Sequence, residues 1–213
     1  MRRTIRILSV VILMLPVSIV FMGTYTSFID TTGKWEEYVV GKGHHSYYHP
    51  IKFVNNLKEI EFYFRTNDTW FYKMPERPGW NKIRGFSNGF HHKGSSVRLV
   101  YKCIDDTLLV VGGYCYVDGV HPNNGVGQQA TIDTIQPNRV YHCIIKLEDG
   151  KYKIYFEDKY WDCFAGKAYS NWGYLLNPFM GGVFTIDHDW KIDIYDVDPA
   201  KKLPPAPFVK NTD

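Results

Sequence analysis

The chain has 213 residues, 45% of them hydrophobic and 16% aromatic, with a formal net charge of +3. That length suits one domain plus a targeting segment, and the hydrophobic content excludes a disordered chain. Lysine and arginine are interspersed with aspartate and glutamate, without a long basic block, so no nucleic-acid partner is expected.

Residues 1–28 open with Arg2, Arg3 and Arg6, followed by the apolar run from Ile7 to Met22. A positive start before an apolar run is a signal for membrane export. The run is also close to the length of a spanning helix, roughly 20 residues. No A-x-A cleavage site follows it, and no cysteine that would carry a lipoprotein anchor. A cleaved signal peptide and a retained N-terminal hydrophobic helix therefore both stay open. Either one implies a secreted or membrane-anchored, extracytoplasmic protein, with the membrane a partner through this segment.

Residues 29–58 read as irregular, with Gly33, Gly41, Gly43 and Pro50 and the stretch His44-His45-Ser46-Tyr47-Tyr48-His49. Period-two strand patterns begin after that. Ile60, Phe62 and Phe64 alternate with Glu61, Tyr63 and Arg65; Val97, Leu99, Tyr101 and Cys103 alternate with Arg98, Val100 and Lys102. Leu108 to Val117 is nearly all apolar, as a central strand covered on both faces would be. Tyr141, Cys143, Ile145 and Leu147 form another alternating run. Asp149-Gly150 joins it to Tyr152, Ile154 and Phe156 with a strong hairpin signal.

The stretch Tyr174–Tyr195 reads as strand, irregular corner, strand, the last with Trp190, Ile192 and Ile194 on one face. The tail, 198–213, is Pro-rich. About ten short strands imply an all-β fold of two packed antiparallel sheets over residues 29–197.

Four cysteines are present: Cys103, Cys115, Cys143 and Cys163. None forms a C-x-x-C pair, so a zinc ribbon is not expected. In an exported chain they allow two disulfides in three pairings. Cys103 and Cys143 fall on apolar strand faces, where buried free thiols are an equal reading.

The segment Asn177-Pro178-Phe179-Met180-Gly181-Gly182, followed by Asp187-His188-Asp189-Trp190, resembles the closing strands of concanavalin A-like lectin/glucanase jelly rolls of exported bacterial or phage-associated type. Trp80–Phe86 and Ser95–Leu99 look like further strands of that set. The resemblance implies polysaccharide binding, or hydrolase or lyase activity, without deciding among them.

A retaining or inverting glycosidase needs two carboxylates across the scissile bond. The glucanase-type E-x-D-x-x-E strand is absent, and Asp105/Asp106 and Glu157/Asp158 look like turns. A lyase needs a Tyr or His to move a proton beside a uronate carboxylate, and a cation or amide to neutralise that carboxylate. His91, His92, Arg98, His44 and Tyr47 are candidates, although the R-x-E-L-R, Q-I-H and Y-F-K-A-G patterns expected of alginate lyases are absent.

Non-catalytic glycan recognition needs only aromatic faces with a few amides or carboxylates. Trp161, Trp172, Asn171, Tyr169 and Trp80 suit it, with Tyr160-Trp161-Asp162 and Tyr169–Gly173 read as rim loops. This lectin-like, carbohydrate-binding reading leads, with a lyase or hydrolase second and a structural or adhesive surface domain third. No cofactor is expected beyond a weaker reading of calcium at Asp187 and Asp189, for which turn capping is the competing account.

Overall fold

The structure, a computed structural model, describes residues 34–73, 79–121, 128–167, 170–180 and 184–197. The expected N-terminal hydrophobic segment (1–28), the Pro-rich tail (198–213), Tyr169 and the Gly181-Gly182 pair lie outside these residues.

Among the described residues, twelve strands pack as two antiparallel six-stranded sheets. The first sheet runs β1 (Glu36–Val40), β12 (Trp190–Asp196), β3 (Glu59–Arg65), β8 (Val140–Glu148), β9 (Lys151–Phe156) and β10 (Lys159–Phe164). The second runs β2 (Phe53–Asn55), β11 (Trp172–Leu176), β4 (Asn81–Asn88), β5 (Ser95–Ile104), β6 (Leu108–Tyr116) and β7 (Gln128–Ile135).

β1 and β2 correct the irregular reading of 29–58. Both are too short for a period to stand out, and each is held by a partner far along the chain: Tyr38 opposite Ile192, Val54 opposite Gly173. The Asp149-Gly150 hairpin forms as expected, with φ of 52° and 70°. These are the left-handed values a two-residue turn needs to match strand twist.

The alternating apolar residues meet between the sheets. Phe62, Phe64, Ile154, Phe156, Ile192 and Ile194 from one sheet face Phe86, Val97, Leu99, Val111 and Leu175 from the other. Trp70, in the short 3-10 turn Asp68–Trp70, is buried with its ring 4.3 Å from Tyr101, and its indole N–H donates to the Lys191 carbonyl at 3.0 Å. Full burial of an aromatic side chain contributes about 2–3 kcal/mol, so this inner layer is the main stabilising element.

The disulfide Cys115–Cys163 ties β6 of the second sheet to β10 of the first. Cys103 and Cys143 are free and buried. One pair of cysteines thus follows each of the two sequence expectations.

A bulge in β4 separates two cations that lie close in sequence. Lys82 pairs with Val100 but Arg84 pairs with Leu99, so Ile83 is an extra residue. Arg84 turns inward, almost fully buried, and bonds Asp196 and Asn177. Lys82 stays on the outer side.

Candidate functional site

Along β5, Val97, Leu99, Tyr101 and Cys103 belong to the core, which turns Ser96, Arg98, Val100 and Lys102 to the outer face of the second sheet. The same parity turns Gly112, Tyr114 and Tyr116 outward on β6. β11 adds Tyr174, and β4 adds Lys82. Yet this face is not open. Val100, Val110, Tyr114 and Leu176 are buried without belonging to the core. Trp80 supplies part of the cover: a Cβ on Gly112 would stand 2.7 Å from its ring. Gly85 lets β4 pass close beside Arg98, since a Cβ there would meet the Val97 carbonyl at 2.0 Å and the Arg98 Cγ at 2.9 Å.

Arg98 occupies the middle of the face, opposite Tyr114 on β6 and Gly85 on β4. It pairs with no carboxylate among the described residues. Burial lowers its pKa to about 10, against the opposing effect of Tyr114, Tyr174 and Tyr116, and it stays cationic at neutral pH. Lys82 lies over the rings of Tyr114 (5.4 Å) and Phe179 (5.6 Å). Burial, reinforced by Arg98, lowers its pKa to about 8.

Three histidines meet these tyrosines. The loop between β4 and β5 carries His91 and His92, whose rings lie 3.7 Å apart. His91 Nδ1 bonds the Tyr174 hydroxyl at 2.6 Å. His121 Nε2 bonds the Tyr114 hydroxyl at 2.6 Å. Tyr116 touches all three, with centroids 5.2–6.2 Å away. Burial first, then Arg98 and His92, lowers the His91 pKa to about 3. Burial also lowers His92, aided by Arg98, and His121, aided by Lys82 and His92. Burial raises the Tyr114 pKa. At neutral pH the face therefore presents two cations, neutral imidazoles and a protonated Tyr114. Such a set accepts an anion and can pass protons beside it.

Of the residues named from sequence, Arg98, His91 and His92 come together here, and Trp80 lies on the same face over Gly112, beneath Lys102. His44 does not join them; it sits by Gly41, near Asp189. Tyr47 is exposed beside His49, 6.4 Å from its ring.

Trp161 is not on a rim loop. It lies in β10 and packs against the core, its ring 2.3 Å from where a Cβ on Gly113 would be. Trp172 begins β11 and is 37% exposed, so it too is on a strand. Asn171, beside it, is exposed and accepts a backbone bond from Asn56.

Asp187 binds its neighbour His188 at 2.7 Å, and Asp189 accepts from the Lys42 N–H at 2.9 Å. His188 also bonds the Thr69 carbonyl, pinning the corner. These bonds match the capping account, and the described residues contain no group of three or more metal-ligating side chains.

The sequence expectations missed Lys82, Tyr114, Tyr116 and Tyr174. The available signal was the period-two pair Tyr114 and Tyr116 after Gly112-Gly113. The surrounding apolar run masked it.

No family model matches the sequence, and no curated protein sequence matches it. Solved structures do match in fold. A double mutant of alginate lyase Aly36B in complex with alginate tetrasaccharide aligns with a TM-score of 0.56 at 15% identity, over 76% of this chain and 78% of that one. A second double mutant of Aly36B, with alginate trisaccharide, gives 0.52 at 15% identity, over 76% and 79%. The PL7 alginate lyase AlyA1 from Zobellia galactanivorans gives 0.44 at 10%, over 75% and 62%. The chain has the concanavalin A-like jelly-roll fold.

Proposed function

We propose that the protein binds a uronate-containing polysaccharide on the outer face of its second sheet and cleaves it by β-elimination. The observation that carries this reading is Arg98: a sheltered guanidinium without a carboxylate partner among the described residues, ringed by tyrosines and neutral histidines. A hydrolase would need two carboxylates, and none of the side chains gathered around Arg98 is acidic. The jelly-roll likeness to alginate lyases supports a glycan ligand.

In this reading Arg98, with Lys82, holds the uronate carboxylate. Their charge stabilises the enolate that forms when the proton on C5 is removed. The Tyr114–His121 couple takes that proton: the phenol oxygen receives it as the imidazole accepts the phenol's own. The C4–O bond then breaks and a C4=C5 double bond forms. Tyr174, held by His91, donates a proton to the departing oxygen. One proton is taken and one is given, so the protein needs no redox partner.

The test incubates the purified chain with alginate, pectate and a neutral glucan, following ultraviolet absorbance from unsaturated ends. A rise with a uronate polymer, lost in Arg98→Ala, is the expected result. Reducing ends without absorbance would replace elimination by hydrolysis. Retardation in a polysaccharide gel without either product would leave a binding module.

A further inference from the structure

A second set of aromatic side chains leads away from Tyr174 along the edge of the same sheet. Tyr174 and Trp172 share a face of β11, two residues apart. Phe53 of β2 pairs with Tyr174 and lies 6.1 Å from its ring and 6.4 Å from that of Trp172. Phe90, from the loop that also carries His91, meets Trp172 edge to face at 5.0 Å. Phe53 is 63% exposed, Phe90 61% and Trp172 37%. They form a continuous strip with Tyr174 at its inner end, and the exposed Asn171 stands beside its outer end.

Large aromatics left in solvent at three neighbouring positions need an occupant. We infer that this strip is an accessory sugar subsite: the pyranose rings next along the polysaccharide stack on Trp172, Phe53 and Phe90 while the uronate being cleaved sits at Arg98. The inference rests on the glycan reading of the outer face. Continuity is its main support, because a chain seated against Tyr174 has this strip as its exit. The chemistry agrees, since the C–H face of a pyranose is apolar and packs on an aromatic ring while its hydroxyls reach polar neighbours. Fixed by β2, β11 and one loop, the rings are also ordered before the ligand arrives.

The experiment compares the wild-type chain with Trp172→Ala and Phe90→Ala, after thermal unfolding shows that each variant is folded. Cleavage of alginate or pectate polymer and of the matching disaccharide, too short to extend from the scissile bond onto the strip, is measured, together with retardation in gels containing the polymer. The expected result is a KM for polymer raised about five- to tenfold in Trp172→Ala, with kcat and disaccharide kinetics unchanged. Equal effects on polymer and disaccharide, or none on either, would overturn the subsite. If the wild type yields no unsaturated product, the lyase reading fails but the gel still decides. Loss of retardation in Trp172→Ala would then support the strip. Unchanged retardation, or a wild type that is never retarded, would overturn it.

Discussion

On the outer face of the first sheet, cations sit beside carboxylates. Arg65 meets Asp193 at 3.1 Å, Lys146 meets Glu59 at 3.1 Å, and Lys153 meets Glu148 at 2.7 Å. Each pair keeps at least one partner well exposed, and such pairing adds little to stability. On the outer face of the second sheet, Arg98 and Lys82 are half-buried among aromatic rings and pair with no carboxylate among the described residues. Both sheets alternate in and out with the same period, so secondary structure does not explain the contrast. The first arrangement is complete in itself. The second leaves positive charge in a low-dielectric setting, where an incoming anion is worth more than it would be in water. A charge without a partner is informative only where it is also sheltered.

The largest effect should come from removing the central cation. Arg98→Ala is expected to lower kcat/KM on a uronate polymer by about a hundred- to a thousandfold, as loss of a charge-stabilising donor does. Arg65→Ala, on the opposite face, should leave the rate unchanged. Comparable losses in the two variants, measured by initial rates, would dissolve the contrast between the faces.

The disulfide tests whether the site's strand depends on the first sheet. Cys115→Ala/Cys163→Ala is expected to lose about 2–4 kcal/mol of unfolding free energy, read from urea midpoints. Gly113→Ala should lose about 1–3 kcal/mol by the same measurement, because the new methyl meets the Trp161 ring. Lys146→Ala, which only opens the exposed pair with Glu59, should change stability by less than about 1 kcal/mol.

The pH response separates the two faces as well. Lys82, with a pKa of about 8 instead of the ordinary 10.5, loses its charge as pH rises through 8. Retention on a polyuronate gel should weaken over that range. Folding should respond in the opposite sense. Between about 8 and 10.5 the unfolded chain holds a proton that the folded one has released, so stability rises with pH there. Parallel gel and urea titrations check both directions, and Lys82→Met should flatten both responses.

Much of the fold could be read from residue order, because the long strands carry their burial in plain alternation. Phe62 and Phe64, or Ile192 and Ile194, announce an inner face by themselves. β1 and β2 could not be read so, since short edge strands take their identity from partners more than 100 residues away. The site divides in the same manner. Arg98, His91 and His92 stand out by residue type in otherwise apolar or loop segments. Tyr114 and Tyr116 were hidden because a tyrosine in an apolar run reads as core, and only the other strands show which side it faces. Lys82 and Trp161 fail for a related reason. A cation looks like ordinary surface until Tyr114 and Phe179 lie beneath it, and a tryptophan between polar neighbours looks like a rim until Gly113 opens a space for its ring.

The extra residue in β4 also decides which cation faces outward. In a regular strand Lys82 and Arg84, two apart, would project on the same side. The insertion of Ile83 changes the parity, sending one cation toward the outer face and the other into an internal bond with Asp196. The bulge at that point, more than side-chain identity, assigns the two roles. Removing Ile83 would leave the two cations consecutive and still on opposite sides, whereas a regular strand that kept Ile83 would turn both to one side. When kindred chains are compared at this strand, the presence of the bulge will therefore carry more meaning than mismatches.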